Sequence, residues 1–227
     1  MLLAKDIHKK FSESVLRGVT LEAKAGEIIG IAGKNGSGKS TLLSIMTGLL
    51  MPDGGQVTLE EEPLKKRINS IGYVPQEAAL FENLSVKDNL RFWASARGLP
   101  WKETSLMLSE DKAFLKKRVS RLSDGMKRRL SIILACMHSP KWLVLDEPSA
   151  NLDIGFKGDL IQIIKDISAE GGGVIFTSHQ PDELMWCDRI YILRGGVFVY
   201  SGDPKELGDI SKVLYGQRGP KKGGMRQ

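Results

Sequence analysis

Short runs of consecutive hydrophobic residues alternate along this chain with segments whose hydrophobic positions recur at helical spacing. Three of the runs, at 27–32, 142–146 and 173–177, are continuous and predict buried strands. Helical segments separate them, and this alternation is typical of a parallel sheet with helices on both faces. The pattern therefore predicts an α/β fold.

The remaining segments add smaller elements to this framework. Hydrophobic and polar residues alternate at 15–23 and 56–59, as they do in half-exposed antiparallel strands. A helix is predicted at 40–50, where a cluster of turn residues follows it. Residues 84–138 are predicted to be wholly helical and to form an insert. Short strands return from residue 189, before a tail rich in Gly, Pro and basic residues that we expect to be disordered.

Composition and charge limit the classes of protein that fit. The chain has 227 residues, of which 41% are hydrophobic and 26% are charged, as in globular proteins. The net charge of +6 invites a nucleic-acid or membrane interpretation. However, the excess lies in two segments, 116–129 and 216–227, and the rest of the chain is acidic on balance. The protein is therefore not uniformly basic, and no nucleic-acid partner is expected.

The sequence pattern predicts neither a membrane span nor a secretory signal. No run approaches 18 apolar residues, and residues 1–6 lack a charged segment followed by an apolar one. Cys136 and Cys187 lie in apolar surroundings without metal-ligand spacing, which favours two buried, reduced thiols over a disulfide. We therefore expect a cytoplasmic protein.

Residues 33–40, GKNGSGKS, fit the phosphate-binding pattern G-x-x-x-x-G-K-[ST]. A predicted strand precedes them and a predicted helix follows, so backbone N–H groups and the helix N-terminus can face phosphate oxygens. In this pattern Lys39 reaches the β- and γ-phosphates, and the Ser40 hydroxyl binds Mg²⁺. The alternative is an accidental match in a Gly/Ser-rich turn, which the strand and helix context disfavours.

Two adjacent carboxylates follow the predicted strand 142–146. Because unpaired buried charge is costly, a buried strand that ends in acids requires a cation beside it. Asp146 is the natural Mg²⁺ ligand, and Glu147 is placed to orient or deprotonate a water that attacks the γ-phosphate. A surface acidic turn is the common alternative, but the phosphate-binding loop upstream favours hydrolysis or a nucleotide switch.

A second possible anion site lies at a predicted helix start, where Ser123 and Gly125 precede a helix at 127–138. Two anion sites for one nucleotide suggest that one of them faces a second subunit. The plainer interpretation is a capped helix on which Lys127, Arg128 and Arg129 form a solvated face. Spacing alone favours this plainer interpretation.

Together these motifs resemble the ATP-binding subunit of ABC transporters, over nearly the whole chain to about residue 208. Residues 33–41 match the P-loop, 122–126 the signature motif, and Asp146 with Glu147 the Walker B pair. Further matches are 149–153 for the D-loop, Gln76 for the Q-loop glutamine, His179 for the switch histidine, and Phe11 for the aromatic residue that stacks on adenine.

The resemblance implies a P-loop NTPase fold: a RecA-like parallel sheet core, an antiparallel β subdomain and a short α-helical insert. Residues 1–76 and 124–208 would form the ATP-binding core, 77–123 the helical subdomain, and 209–227 a C-terminal extension with a basic, flexible tail. Two such subunits would dimerise head-to-tail around two ATP molecules with Mg²⁺. Ser123 of one subunit would then cap the γ-phosphate held by the other.

The resemblance also assigns roles to residues. The catalytic group would be Glu147, His179, Gln76 and Lys39, and the Mg²⁺ ligands Ser40, Gln76 and Asp146. The nucleotide-binding set would be Phe11, Gly33, Asn35, Gly36, Ser37, Gly38, Lys39, Ser40, Thr41, Ser123 and Gly125.

Some positions depart from the family pattern. Asp124 stands where glycine is commonest, and Met126 stands where glutamine is. An acid near the γ-phosphate would slow turnover if it pointed inward, whereas facing solvent it would favour the helix dipole. Residues 125–130 are similar to signature helices of the exporting branch, which points to export.

The resemblance implies a separate transmembrane permease that docks on residues 77–97 and places the protein at the inner face of the cell membrane. The basic tail 216–227 would contact the anionic inner leaflet. The basic clusters leave one alternative open, a soluble ABC-type ATPase acting on ribosomes or nucleic acid. Such proteins carry two domains in one chain or a long coiled coil, and neither is found here. A P-loop kinase would have no use for a signature helix.

Overall fold

The computed structural model describes residues 1–100, 112–149, 152 and 154–207. The strands are β1 (Leu2–Lys10), β2 (Ser14–Ala23), β3 (Ile28–Ala32), β4 (Gly54–Leu59), β5 (Glu62–Pro63), β6 (Ile71–Val74), β7 (Trp142–Asp146), β8 (Gly173–Ser178), β9 (Arg189–Arg194) and β10 (Val197–Gly202). The helices are α1 (Lys39–Met46), α2 (Leu64–Arg67), α3 (Val86–Ala96), α4 (Lys112–Lys116), α5 (Asp124–Cys136), α6 (Ile154–Ala169) and α7 (Pro181–Leu184), with short 3₁₀ turns at Ile68–Ser70, Val119–Arg121 and Pro204–Leu207.

The central sheet has six strands in the order β10-β9-β3-β8-β7-β6. Neighbouring strands are parallel, except for the edge strand β10, which runs antiparallel to β9. All residues of β3, β7 and β8 are buried. This burial on both faces explains why these strands are continuous hydrophobic runs in the sequence. The predicted α/β class is confirmed.

Successive residues of the buried strands enter two different cores. Val144 and Ile175 pack with α1 and the second sheet, whereas Leu145 and Phe176 pack with residues of α5, α6 and α7. Helices therefore cover both faces of the central sheet, as predicted.

The second sheet is antiparallel, in the order β2-β1-β4-β5. β1 was not predicted from the sequence, although this strand lies between β2 and β4 and pairs with both. In β2 the buried residues Leu16, Val19, Leu21 and Ala23 alternate with more exposed ones, as the pattern predicted. This sheet packs its apolar face on the first core.

Two predicted helix boundaries were wrong. The helix predicted at 40–50 ends at Met46, and Gly48 follows with a φ of 74°, a left-handed conformation that glycine adopts easily. The helix predicted at 127–138 runs from Asp124 to Cys136.

The segment predicted to be wholly helical is not continuous in its described part. Ser85, which precedes α3, and Arg118, which follows α4, are extended residues that pair in an antiparallel β-bridge. A third core joins α3, α4 and α5 and includes Leu90, Phe114 and Leu134.

Several predictions lie on residues outside the described ranges: the tail at 208–227, and Ala150, Asn151 and Asp153 of the predicted D-loop. Cys136 and Cys187 are buried and free, as expected. Within the described residues, no helix is long and apolar enough to span a membrane.

Candidate nucleotide-binding site

The loop between β3 and α1 contains backbone conformations that glycine adopts easily. Gly36 and Gly38 have φ values of 76° and 104°, and both lie in the left-handed region. A Cβ on Gly33 would lie 2.5 Å from the carbonyl oxygen of Leu193, so the loop packs directly on β9. The loop therefore turns tightly into the N-terminus of α1, as a phosphate-binding loop requires.

An open cleft of about 470 Å³ lies over this loop, within the size range of ligand sites. Four separate segments meet there: the turn from β1 into β2, the loop before α1 with the first turn of α1, the second residue after β6 and the residue after β7. The lining residues are Phe11, Val15, Asn35, Gly36, Gly38, Lys39, Ser40, Thr41, Gln76 and Glu147. Most of the residues predicted to hold the nucleotide are thus brought together.

Gly33 and Ser37 line an adjoining depression together with Asn35 and Gly36. The Ser37 hydroxyl is buried and has no hydrogen-bond partner among the described residues. A buried, unpaired hydroxyl is costly, and a phosphate oxygen would satisfy it. The loop therefore fits a phosphate group.

Lys39 is buried at the centre of the site. Its ammonium group donates to the carbonyl oxygens of Gly33 at 2.9 Å and Lys34 at 3.3 Å. Its Nζ also lies 3.9 Å from Glu147 Oε1. Burial lowers the pKa of Lys39, and the nearby carboxylates of Glu147 and Asp146 oppose that shift. The ammonium group thus stands between the loop carbonyls and the acids.

A residue that was not predicted from the sequence, Thr177, holds the Asp146 carboxylate and the Glu147 backbone. Thr177 lies on β8 directly opposite Asp146 on β7. Its hydroxyl donates to Asp146 Oδ1 at 2.5 Å and accepts from the Glu147 backbone N–H at 2.8 Å. Glu147 has a left-handed φ of 48°. The available signal for Thr177 was a hydroxyl side chain near the end of an apolar strand.

His179 follows β8 and reaches the same carboxylate from another side. Its Nδ1 lies 3.6 Å from Glu147 Oε1, and the ring is half exposed. Glu147 therefore stands between Lys39 and His179, at the rim of the cleft that Gln76 also lines. This arrangement places an acid, a histidine and an amide around one space.

The predicted Mg²⁺ ligands Ser40 and Gln76 line the cleft, and Asp146 lies buried next to it. Among the described residues, no group of three or more His, Cys, Asp or Glu side chains could hold a metal ion. This donor set fits Mg²⁺, which commonly uses one or two carboxylates together with substrate phosphates and water.

A second buried acid, Glu183, was also missed. Its carboxylate accepts hydrogen bonds from the hydroxyls of Ser149 and Ser178, the latter at 2.6 Å. Lys157 Nζ lies 3.7 Å away. Glu183 therefore links Ser149, which follows Glu147 by two residues, to Ser178, which directly precedes His179. The sequence carried no signal for this link.

The interpretation of Arg128 as part of a solvated face was wrong. Arg128 is 6% exposed, and its guanidinium donates to the backbone carbonyl oxygens of Pro148 and Gln76 at 3.3 Å each. Burial lowers the pKa of Arg128, and the Asp146 carboxylate opposes that shift. The arginine turns inward because α5 packs across the ends of β6 and β7.

The signature residues lie outside the cleft. Ser123 caps α5 by accepting from the Met126 N–H at 3.3 Å, and both Ser123 and Asp124 are exposed. Gly125 lines a separate depression with Met126 and Phe156. The structure therefore does not bring Ser123 and Gly125 to the nucleotide cleft of their own chain.

Phe11 presents an open aromatic face at the cleft. The ring is 56% exposed, and Lys9 Nζ lies 5.6 Å from its centroid. An exposed ring at the edge of a ligand cleft can stack on a planar group such as a nucleobase.

Comparison with known proteins agrees with this geometry. The sequence matches the ABC transporter family over residues 16–150. An ATP-binding cassette solved as a dimer in a post-hydrolysis state, bound to ADP and Pi, superimposes with a TM-score of 0.80 at 25% identity. That match covers 90% of this chain and 99% of the other.

Two curated relatives are similar over most of their length. The linearmycin resistance ATP-binding protein LnrL of Bacillus subtilis is 34% identical, over 91% of this chain and 70% of that protein. The lipopolysaccharide export system ATP-binding protein LptB of Escherichia coli is also 34% identical, over 91% of this chain and 92% of that protein. The chain therefore belongs to the ATP-binding, ATP-hydrolysing subunits of the ABC transporter family.

Proposed function

We propose that this chain hydrolyses MgATP as one half of a head-to-tail dimer that drives a separate membrane permease. The observation that carries the proposal is the exposure of Ser123, a helix-capping residue that lies outside the open cleft of its own chain. A second copy or a paralogue would bring its own Ser123 to that cleft. The solved dimeric cassette supports this arrangement.

Each cleft residue has a role in this proposal. Phe11 stacks on the base, and the loop from Gly33 to Thr41 holds the phosphates through backbone N–H groups, with Lys39 as the charged partner. Glu147 accepts the proton of the attacking water. Its position next to His179 and Lys39 supports this assignment.

Ser40, Gln76 and Asp146 would hold Mg²⁺, which would supply positive charge to the phosphate oxygens. Thr177 keeps the Asp146 carboxylate in place through its hydroxyl. His179 and Gln76 complete the catalytic group at the rim of the cleft. The partner's Ser123 and Gly125 would close the site over the γ-phosphate, because a helix N-terminus favours an anion.

The permease would dock on an exposed aromatic cluster of the helical insert. Phe81 and Phe92 are 41% and 48% exposed, and their ring centroids lie 4.6 Å apart. Trp93 packs edge-on against Phe92. Exposed apolar patches of this kind mark protein interfaces. The protein would then work at the inner face of the cell membrane.

The division into an ATP-binding core at 1–76 and 124–208 and a helical subdomain at 77–123 follows from the same proposal. The packing of α3 and α4 supports a helical unit, because their core is distinct from the two cores of the central sheet. α5, which the division assigns to the ATP-binding core, joins this third core through Leu130 and Leu134. Export is the direction we favour, because LptB is named for export and LnrL for resistance.

The test is the variant Glu147→Gln. Removing the base should lower kcat by about 10²- to 10⁴-fold while ATP still binds. The variant should therefore accumulate as an ATP-bound dimer, visible as a doubled mass in light scattering. Lys39→Ala should bind ATP weakly and stay monomeric.

The matched control is Glu170→Gln, which makes the same change at an exposed glutamate after α6. It should keep the kcat of the wild type. Undiminished phosphate release by Glu147→Gln would overturn the assignment of the base, and an ATP-bound monomer at all concentrations would overturn the dimer.

A further inference from the structure

One buried guanidinium joins the two loops that carry the catalytic residues. Arg128 lies on α5, five positions after the capping residue Ser123. Its Nε donates to the Pro148 carbonyl at 3.3 Å, and its Nη1 donates to the Gln76 carbonyl at 3.3 Å. Nη1 also donates to the Pro75 carbonyl, and Nη2 donates to the Asp146 carbonyl. All four acceptors are backbone oxygens.

The four carbonyls lie at the carboxyl ends of two neighbouring parallel strands: Asp146 ends β7, and the other three residues are in the loops after β6 and β7. β6 pairs with β7 from Ile71 to Val74, and the loops after them leave the sheet at the same edge. One loop leads to Gln76 and the other contains Glu147, and both of these residues line the nucleotide cleft. The guanidinium therefore fixes the backbone of one catalytic loop relative to the other.

Arginine suits this role better than any other side chain. Its planar group carries five N–H donors in a fixed fork, whereas lysine carries three donors on a single atom. A lysine at this position could not reach four carbonyls that lie on two loops. Leu130 and Leu134 anchor α5 in addition to Arg128, because they pack this helix into the third core.

We propose that Arg128 is a positioning residue that couples the signature end of α5 to the catalytic loops. The proposal rests on the proposed function, because Ser123 at the start of α5 would contact ATP held by the partner subunit. A displacement of α5 on closure of the dimer would be passed through Arg128 to the backbone of Gln76 and Asp146. Occupancy of one ATP site would thereby adjust hydrolysis at the other.

The experiment compares Arg128→Lys with Arg129→Lys, which makes the same charge-conserving change at the next, exposed position of α5. Steady-state phosphate release gives kcat, KM and the Hill coefficient for ATP, and equilibrium titration gives the Kd of the nucleotide. We expect Arg128→Lys to lower kcat by on the order of 10- to 100-fold and to bring the Hill coefficient towards 1. The Kd for ATP should stay within about twofold, and Arg129→Lys should match the wild type.

A purely structural role would give a different result. Activity would then fall only in proportion to the folded fraction, so kcat per folded molecule and the Hill coefficient would stay at their wild-type values. That outcome for Arg128→Lys overturns the proposal, as does an equal loss in Arg129→Lys. Arg128→Met, which removes all donors, should lower kcat per folded molecule at least as far as Arg128→Lys. Absence of turnover in the wild type would instead refute the proposed function.

Discussion

At the scale of single residues, the catalytic geometry depends on hydroxyl and carbonyl groups as much as on the charged side chains. The hydroxyl of Thr177 holds the Asp146 carboxylate with one hydrogen bond and the Glu147 backbone with another. Glu147 has a left-handed backbone, which an L-residue adopts only where its surroundings compensate. The bond to Thr177 is one such compensation.

Thr177→Val tests this role, because valine keeps the shape and removes the hydroxyl. The Glu147 N–H would be left without its partner, at a cost of about 1–3 kcal/mol in the free energy of unfolding. We also expect kcat to fall about tenfold or more, since the proposed base loses its fixed position. Urea unfolding and phosphate release would measure the two effects.

Thr177→Ser is the control, because serine keeps the hydroxyl and loses one methyl group. It should retain more activity than Thr177→Val. Equal kcat values for Thr177→Val and the wild type would contradict the positioning role of Thr177.

At the scale of elements, the start of α3 organises the exposed aromatic cluster. Ser85 caps the helix by accepting from the Asp88 N–H at 3.1 Å. Asn89 is fully buried, and its side chain bonds the N–H and the carbonyl of Phe81 and the carbonyl of Ser85. One amide group therefore ties the loop that carries Phe81 to the helix that carries Phe92.

Asn89→Ala should release this loop while leaving the nucleotide cleft intact. The lost hydrogen bonds leave buried backbone groups unpaired, so we expect a loss of about 2 kcal/mol or more in the free energy of unfolding. ATP hydrolysis by the isolated subunit should stay within about twofold of the wild type, but stimulation by the permease should fall.

The matched variant is Asn83→Ala, at an exposed position of the same loop. It should alter neither stability nor stimulation by more than the experimental error. If Asn89→Ala kept full stimulation by the permease, the proposed docking role of the aromatic cluster would be rejected.

At the scale of the whole molecule, the core on one side of the central sheet, shared with α5, α6 and α7, excludes water from both cysteines. Burial raises the pKa of the Cys136 thiol to about 12 and raises that of Cys187 as well. In the unfolded chain a thiol loses its proton near pH 9. Between pH 9 and about pH 12 the folded state therefore binds more protons at Cys136 than the unfolded state does, and the free energy of unfolding falls as the pH rises.

The pH dependence of unfolding tests this linkage. Between pH 7 and pH 10, Cys136 should account for a loss of about 1.4 kcal/mol in the free energy of unfolding. The same pH change should therefore destabilise Cys136→Ala less than the wild type, by about this amount. Urea unfolding at both pH values would measure it, and identical pH dependence in the two proteins would contradict the burial of an uncharged thiol.

The sequence determined much of the fold and of the site. Fully buried strands such as Trp142–Asp146 are continuous hydrophobic runs because both of their faces lie in a core. The P-loop and the pair Asp146 and Glu147 are local motifs, whose chemistry depends on neighbours in the chain. Spacing along the sequence was therefore sufficient to find them.

Only the tertiary structure decided the roles of Thr177, Glu183 and Arg128, and the place of β1 between β2 and β4. Each of these residues acts on groups far away in the chain, as Arg128 does on the carbonyls of Gln76 and Asp146. Side-chain type does not reveal such contacts, because the sequence of a lysine-rich or arginine-rich helix start is the same whether its side chains are solvated or buried. The packing of α5 over the ends of β6 and β7 turned one of three basic neighbours inward, and that packing is set by the whole fold.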